Sequence, residues 1–168
     1  INFAEAAREM IHTGDYLTVR IDFEPFHEKP PLYIWIQVVS MKIFGVNEFA
    51  ARLPNAIIGI ITLLVLFNIG KILVDDKFGF LFILAYSGSI LPHFYFKTGL
   101  IDPLFNLLMF SSIYYLFRYF QVVTNKGEGF TKSYNFLLLA SLLDGLAILT
   151  KGPVGYLLVV TTAFIFWL

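Results

Sequence analysis

The sequence predicts an all-α, polytopic membrane protein, on three observations. Apolar residues make up 58% of the chain and charged residues 14%, with a mean hydropathy of +0.75. A soluble domain is nearer roughly half apolar and a quarter charged. After Arg52 the apolar residues gather into long runs, near 53–74, 78–96, 103–122, 134–150 and 153–168. Short polar turns, "DDK", "TGLID", "NKGEGFTKS" and "KGP", join these runs and leave no room for an inserted soluble domain.

Taken in order, residues 2–13, "NFAEAAREMIHT", put Phe3, Ala6, Ala7, Met10 and Ile11 at helical spacing, with Glu5, Arg8, Glu9 and His12 around the rest of the wheel. That pattern predicts a short amphipathic helix at the membrane surface, stopped by Gly14. Residues 27–31, "HEKPP", are extended, because the residue before a proline is steered out of helical conformation. Residues 31–44 open with Pro31 and carry Tyr33 and Trp35, side chains favoured at the lipid headgroups. They are too few to cross the hydrocarbon, so they form a second juxtamembrane helix ending at Gly45. The five later runs approach the ~20 residues that cover a ~30 Å core at ~1.5 Å rise. The expected architecture is therefore an external region, 1–48, followed by a bundle of about five transmembrane helices, 49–168.

Composition narrows function. Twelve basic and twelve acidic residues balance to zero, which argues against nucleic acid as a partner. The chain has no cysteine, so disulfides and thiolate chemistry are excluded. It opens at Ile1 with neither an initiator Met nor a leader, and reads as an internal piece of a longer protein.

Orientation follows from the basic residues. Lys71, Lys77, Arg118, Lys126 and Lys132 outnumber Lys42, Arg52, Lys97 and Lys151, which puts "DDK" and "NKGEGFTKS" in the cytoplasm. Residues 1–48, "TGLID" and "KGP" then share the external face. His27, Glu28, Lys29, His93, Lys97, Asp102, Asp144 and Lys151 converge there, and ionisable groups at or below a membrane boundary are candidate functional groups by default.

Each has a plainer reading beside the functional one. Lys29, projected by the rigid prolines, suits a phosphate ligand or snorkels to the interface. Glu28 suits a general base, an ion-pair partner, or a metal ligand beside His27, although neighbours on an extended chain point apart. Asp102 before Pro103 has the form of a helix cap, and Asn106 follows it one turn later. His93 and Lys97, four apart, share a face that binds an anion or reaches headgroups. Asp144 lies inside the fourth run and suits a structural pair with a lysine as well as a direct role, with Lys151 seven residues later.

The strings "FAEAAREMIHTGDYL", "HEKPPLYIW", "ARLPNAIIGIITLLVLFNIGKIL", the loop acid in "LID" and "GLAILTKGP" resemble, in this order, the lipid-linked-sugar glycosyltransferases of the GT-C superfamily. The branch is that of the protein O-mannosyltransferases and the aminoarabinose transferases that modify lipid A. The resemblance implies a polytopic enzyme, in bacteria of the cytoplasmic membrane, with its active face external or periplasmic. Such enzymes move a sugar from a polyprenyl-phosphate donor to a protein, lipid A or glycan acceptor. It implies that Lys29 contacts the carrier phosphate, with Lys97 and Lys151 as secondary contacts, and that Asp102 and Glu28 are the catalytic acids. Glu28 and His27 are the candidate ligands of a divalent metal. The family's Asp-Glu pair in the first external loop falls upstream of Phe3, so this stretch alone is expected to be inactive.

Two other classes fit an apolar chain with clustered charge. A transporter or flippase should show paired repeats or broken helices at the midplane. A non-catalytic assembly subunit would use the external helices as a docking platform and would have no reason to bind a polyprenyl phosphate.

Overall fold

The computed structural model describes residues 2–124 and 130–167. The expected cytoplasmic connection bearing Lys126 lies outside the described residues. The elements are α1 (Asn2–Thr13), β1 (Arg20–Ile21), β2 (Glu24–Pro25), α2 (Leu32–Phe44), α3 (Glu48–Leu73), α4 (Asp76–Ser87), α5 (Ile90–Tyr95), α6 (Asp102–Thr124), α7 (Phe130–Lys151) and α8 (Val154–Trp167). The chain is all-α apart from one small hairpin, and it packs as two compact units, Ile1–Leu104 and Phe105–Leu168.

In the first unit, Ala6, Ala7 and Met10 of α1 pack on Ile34, Val38 and Met41 of α2 and on Ala50 and Ala51 of α3. Phe3 meets Tyr33 edge to face at 6.1 Å. Gly14, at φ +73°, closes α1 by donating to the Met10 carbonyl, the usual left-handed helix ending. Helices α1 and α2 thus follow, to within a residue, the bounds expected from the sequence. The hairpin between them is an addition: β1 and β2 pair antiparallel, Ile21 opposite Glu24, around a turn in which Asp22 and Phe23 both take positive φ.

Asn47 caps α3 by accepting from the Ala50 amide at 2.8 Å, so this helix begins before the expected start at residue 53 and takes in Glu48 and Arg52. Asp75 caps α4 in the same way, accepting from Phe78 at 2.7 Å. Where α3 and α4 cross, Gly70 and Gly79 bring the backbones together: a Cβ on Gly70 would stand 2.8 Å from the Gly79 Cα. The run 78–96, expected as one span, is instead two helices. Ser89 is extended at ψ 143°, and Pro92 cannot donate to the carbonyl four residues back, so the hydrogen-bond ladder breaks at Gly88–Ser89.

In the second unit, Ser112 of α6 donates to the Ala140 carbonyl of α7 at 2.9 Å, and Tyr115 stacks on Phe136. Gly152, at φ +85°, ends α7, and Gly155 of α8 fits against Phe105 and Ala147. By length and apolarity, α3 and residues Ser133–Lys151 of α7 are able to cross a membrane, while α2 and Val154–Ile165 are shorter apolar helices.

Candidate functional site

Two segments of the first unit carry the expected site residues. The "HEKPP" segment leaves β2 with the Phe26 amide donating to the Val19 carbonyl at 2.8 Å, and it enters α2 at Leu32. Beyond it Tyr33 and Ile34 are fully buried, and the Trp35 indole donates to the Tyr16 carbonyl at 2.7 Å. Both ends are therefore anchored. His27 and Glu28 project into solvent between the anchors, with Lys29, Pro30 and Pro31 half-buried.

The second segment runs from α5 into α6. Lys97 Nζ lies 2.9 Å from His93 Nε2, so these two residues share a face as their spacing predicts. Asp102 is the first residue of α6, half-buried, with Pro103 behind it in the first turn. Asn55, wholly buried in α3, secures the backbone between Lys97 and Asp102. Its amide nitrogen faces the carbonyls of Tyr95 at 3.4 Å, Thr98 at 2.5 Å and Leu100 at 2.8 Å. One turn earlier, Gln37 of α2 donates to the Ala51 carbonyl of α3 at 2.8 Å. Burial holds the nearby Tyr33 phenol above its ordinary pKa, so it stays neutral.

Between α1, the start of α3 and the turn after α5 lies an open cleft of about 570 Å³. Its charged lining is Glu5, Arg8, Glu48, Arg52 and Lys97. Arg8 pairs with Glu5, and Arg52 pairs with Glu48 at 2.5 Å, each along one helix turn. Exposed pairs of this kind contribute roughly 0–1 kcal/mol, so the cleft presents exchangeable charge of both signs. Sequence reasoning used Arg52 only for orientation and left Arg8, Gln37 and Asn55 out of the site. The Glu48/Arg52 spacing was a visible signal, as was an Asn inside an apolar helix.

Asp144 and Lys151 belong to the second unit. Asp144 is buried in α7, and its Oδ1 has no hydrogen-bond partner among the described residues. The Lys151 ammonium lies 5.3 Å from the Phe105 ring centre, a cation–π distance. Among the described residues no group of three or more His, Cys, Asp or Glu side chains gathers to hold a metal. His27 and Glu28 thus offer at most two donors of the set a divalent cation needs.

Comparison with known proteins places the chain. Residues 28–168 match the family described as dolichyl-phosphate-mannose-protein mannosyltransferase. An uncharacterized protein of Aquifex aeolicus (strain VF5) is 29% identical over 99% of this chain and 32% of its own length. The undecaprenyl phosphate-alpha-4-amino-4-deoxy-L-arabinose arabinosyl transferase of Edwardsiella ictaluri (strain 93-146) is 25% identical over 89% of this chain and 26% of its own length. Crystal structures of ArnT from Cupriavidus metallidurans, 25% identical, superpose with a TM-score of 0.81 in the apo state and 0.83 bound to undecaprenyl phosphate. They cover 92% and 94% of this chain, which spans 28% of ArnT in each. The chain therefore spans about a third or less of these relatives. It has the fold of a polytopic membrane protein of the GT-C type. The chain belongs to the dolichyl-phosphate-mannose-protein mannosyltransferase family.

Proposed function

We propose that the chain is the external carrier-binding part of a membrane glycosyltransferase that draws its sugar from a polyprenyl-phosphate donor. The observation that carries this reading is that the "HEKPP" segment and the Lys97–Asp102 segment are braced on one helix frame, in a fold shared with an ArnT bound to undecaprenyl phosphate. In the transfer, the bond between the anomeric carbon and the carrier's phosphate oxygen breaks while an acceptor oxygen bonds to that carbon. The acceptor's proton passes to a carboxylate, and the carrier leaves as polyprenyl phosphate. Lys29 offsets the charge developing on that phosphate, with Lys97 as a further phosphate contact. Asp102 and Glu28 are the carboxylates on this chain suited to hold the acceptor hydroxyl or take its proton. A divalent metal at His27 and Glu28 would add charge for the phosphate, with its remaining donors supplied from elsewhere.

The acceptor is a protein, lipid A or another glycan. The setting is the bacterial cytoplasmic membrane, with the active face external. The test follows polyprenyl-phosphate release from carrier-linked sugars by the whole protein in liposomes, with membrane extract as acceptor. Lys29→Ala and Asp102→Asn should each lower turnover on the order of 100-fold, the scale of one removed acid–base or charge-stabilising group. Full activity in both variants would remove the site. No turnover or binding of any carrier by wild type would remove the enzyme and favour a transporter or docking platform.

A further inference from the structure

The frame that joins the two external segments is polar and buried, and it makes contacts that helix packing does not require. Asn55 is 0% exposed and Gln37 is 0% exposed, in predominantly apolar helices. An amide so deep in an apolar helix is costly unless its donors are used. Asn55 turns its donors on three carbonyls that lie 40 to 45 residues away in the chain. The first belongs to the last residue of the six-residue helix α5, and the other two belong to the turn that follows it. Gln37 completes the arrangement from the other side. Its Nε2 bonds to the Ala51 carbonyl, and a Cβ on Gly99 would stand 3.1 Å from that nitrogen and 3.3 Å from that carbonyl oxygen. The turn therefore seats its one side-chain-free residue where α2 and α3 meet. The Tyr33 hydroxyl, 3.9 Å from the same point, closes the cluster.

The topology gives this cluster a second property. Tyr33 and Gln37 stand on the helix that follows Lys29, while Gly99 and Leu100 lead directly into Asp102. Any shift of the turn relative to α2 changes the relation of the carrier-binding lysine to the acid. We infer that Asn55 and Gln37 are positioning residues, a polar latch seated on Gly99 that fixes the Lys97–Asp102 segment against the helix behind "HEKPP". This inference rests on the proposed transferase reading for its catalytic consequence, and on the hydrogen bonds for its structural one.

The experiment reads the two separately, in the whole protein in detergent. Amide hydrogen exchange is followed over residues 97–101, and kcat and donor KM are measured for wild type, Asn55→Leu, Asn55→Ser and Gly99→Ala. In Asn55→Leu and Gly99→Ala, exchange over 97–101 should speed up while α1 and α2 stay protected. Their kcat should fall on the order of 100-fold with donor KM unchanged, since a displacement of about 1 Å suffices for that loss. Asn55→Ser keeps one donor and should recover part of it. If Asn55→Leu fails to fold, Gly99→Ala, which adds one methyl against the Gln37 amide and the Ala51 carbonyl, decides. Unchanged exchange in Gly99→Ala overturns the latch. So does faster exchange with full kcat, and so does a loss spread evenly through the molecule. If wild type turns over no carrier-linked sugar, the transferase reading falls, and the exchange of residues 97–101 alone judges the latch.

Discussion

The buried carboxylate of Glu9 accepts the backbone N–H of Phe23 at 3.0 Å, tying the first helix to the tip of a hairpin fourteen residues away. Phe23 stands there at φ +61° with Asp22 before it at φ +56°, a turn that two glycines would adopt without strain. For phenylalanine the left-handed conformation costs about 1–2 kcal/mol. Glu9, 1% exposed, is the neighbour that meets the amide this conformation presents.

Glu9→Ala should therefore destabilise the first unit by about 1–3 kcal/mol, since the Phe23 amide loses its partner. Glu9→Gln keeps an acceptor and should lose less. Phe23→Gly should raise the melting temperature, because it removes the strained side chain, which is 54% exposed and so contributes little packing. Thermal melts of the three variants check the order, with Phe23→Gly highest and Glu9→Ala lowest.

A pH dependence follows from Asp15. Its carboxylate accepts from the amides of Thr18 and Leu17, each at 3.1 Å. These bonds, the Thr18 contribution foremost, hold its pKa below the ordinary 3.8. A depressed folded-state pKa means that the stabilisation is complete above the unfolded value and is lost as pH falls through the folded one. Asp15→Asn should thus melt below wild type at neutral pH, and the gap should close below about pH 3.8. A gap that persists at lower pH would mean that the carboxylate's charge is not what stabilises the turn.

Much of this fold is legible in sequence because the membrane imposes length and apolarity on each helix. Gly14, Gly45 and Gly152 all take positive φ at the helix ends where glycine signals a stop. The Pro-Pro pair marks the entry to α2, although Pro31 is the cap residue in helical conformation, where an extended segment was expected, and the helix starts at Leu32. The hairpin was not legible: neither Asp22 nor Phe23 is the glycine that advertises a left-handed turn, and the carboxylate supporting it comes from another element. The break at Gly88–Ser89 was missed because hydropathy averages over the proline that causes it. Candidate site residues stood out in sequence where charge stands against an apolar background, as at Lys29, Lys97 and Asp102. Their supports did not, because Gln37 and Asn55 gain meaning only from carbonyls far along the chain.

The crossing of α3 and α4 gives a sharper test of packing. A Cβ on Gly79 would stand 2.7 Å from the Phe67 carbonyl oxygen, and one on Gly70 would stand 2.8 Å from the Gly79 Cα. Both meet backbone, which cannot rotate away. Gly70→Ala and Gly79→Ala should each lower the melting temperature in detergent, as expected where small residues let membrane helices approach closely. Gly145 in α7 has nothing within 4 Å of its would-be Cβ. Gly145→Ala should be neutral or gain about 0.5–1 kcal/mol, the usual helix-interior difference.

Asp144 tests whether burial of a charge-bearing group serves function or only persists. Ser112 and Thr150, two other buried polar side chains of this unit, both donate to carbonyls, at 2.9 and 2.8 Å. The Oδ1 of Asp144 meets no donor among the described residues, although the residue is only 9% exposed. Removing an unpartnered buried polar group relieves a cost of about 1–3 kcal/mol, provided the replacement fills its volume. Asp144→Leu should therefore raise the melting temperature of the whole protein, and Asp144→Asn should move it less. Melting curves in detergent, read beside polyprenyl-phosphate release, separate the roles. A variant that is more stable and equally active marks Asp144 as dispensable, whereas a more stable variant with turnover lost would mark it as a group that the fold keeps at a cost for its function.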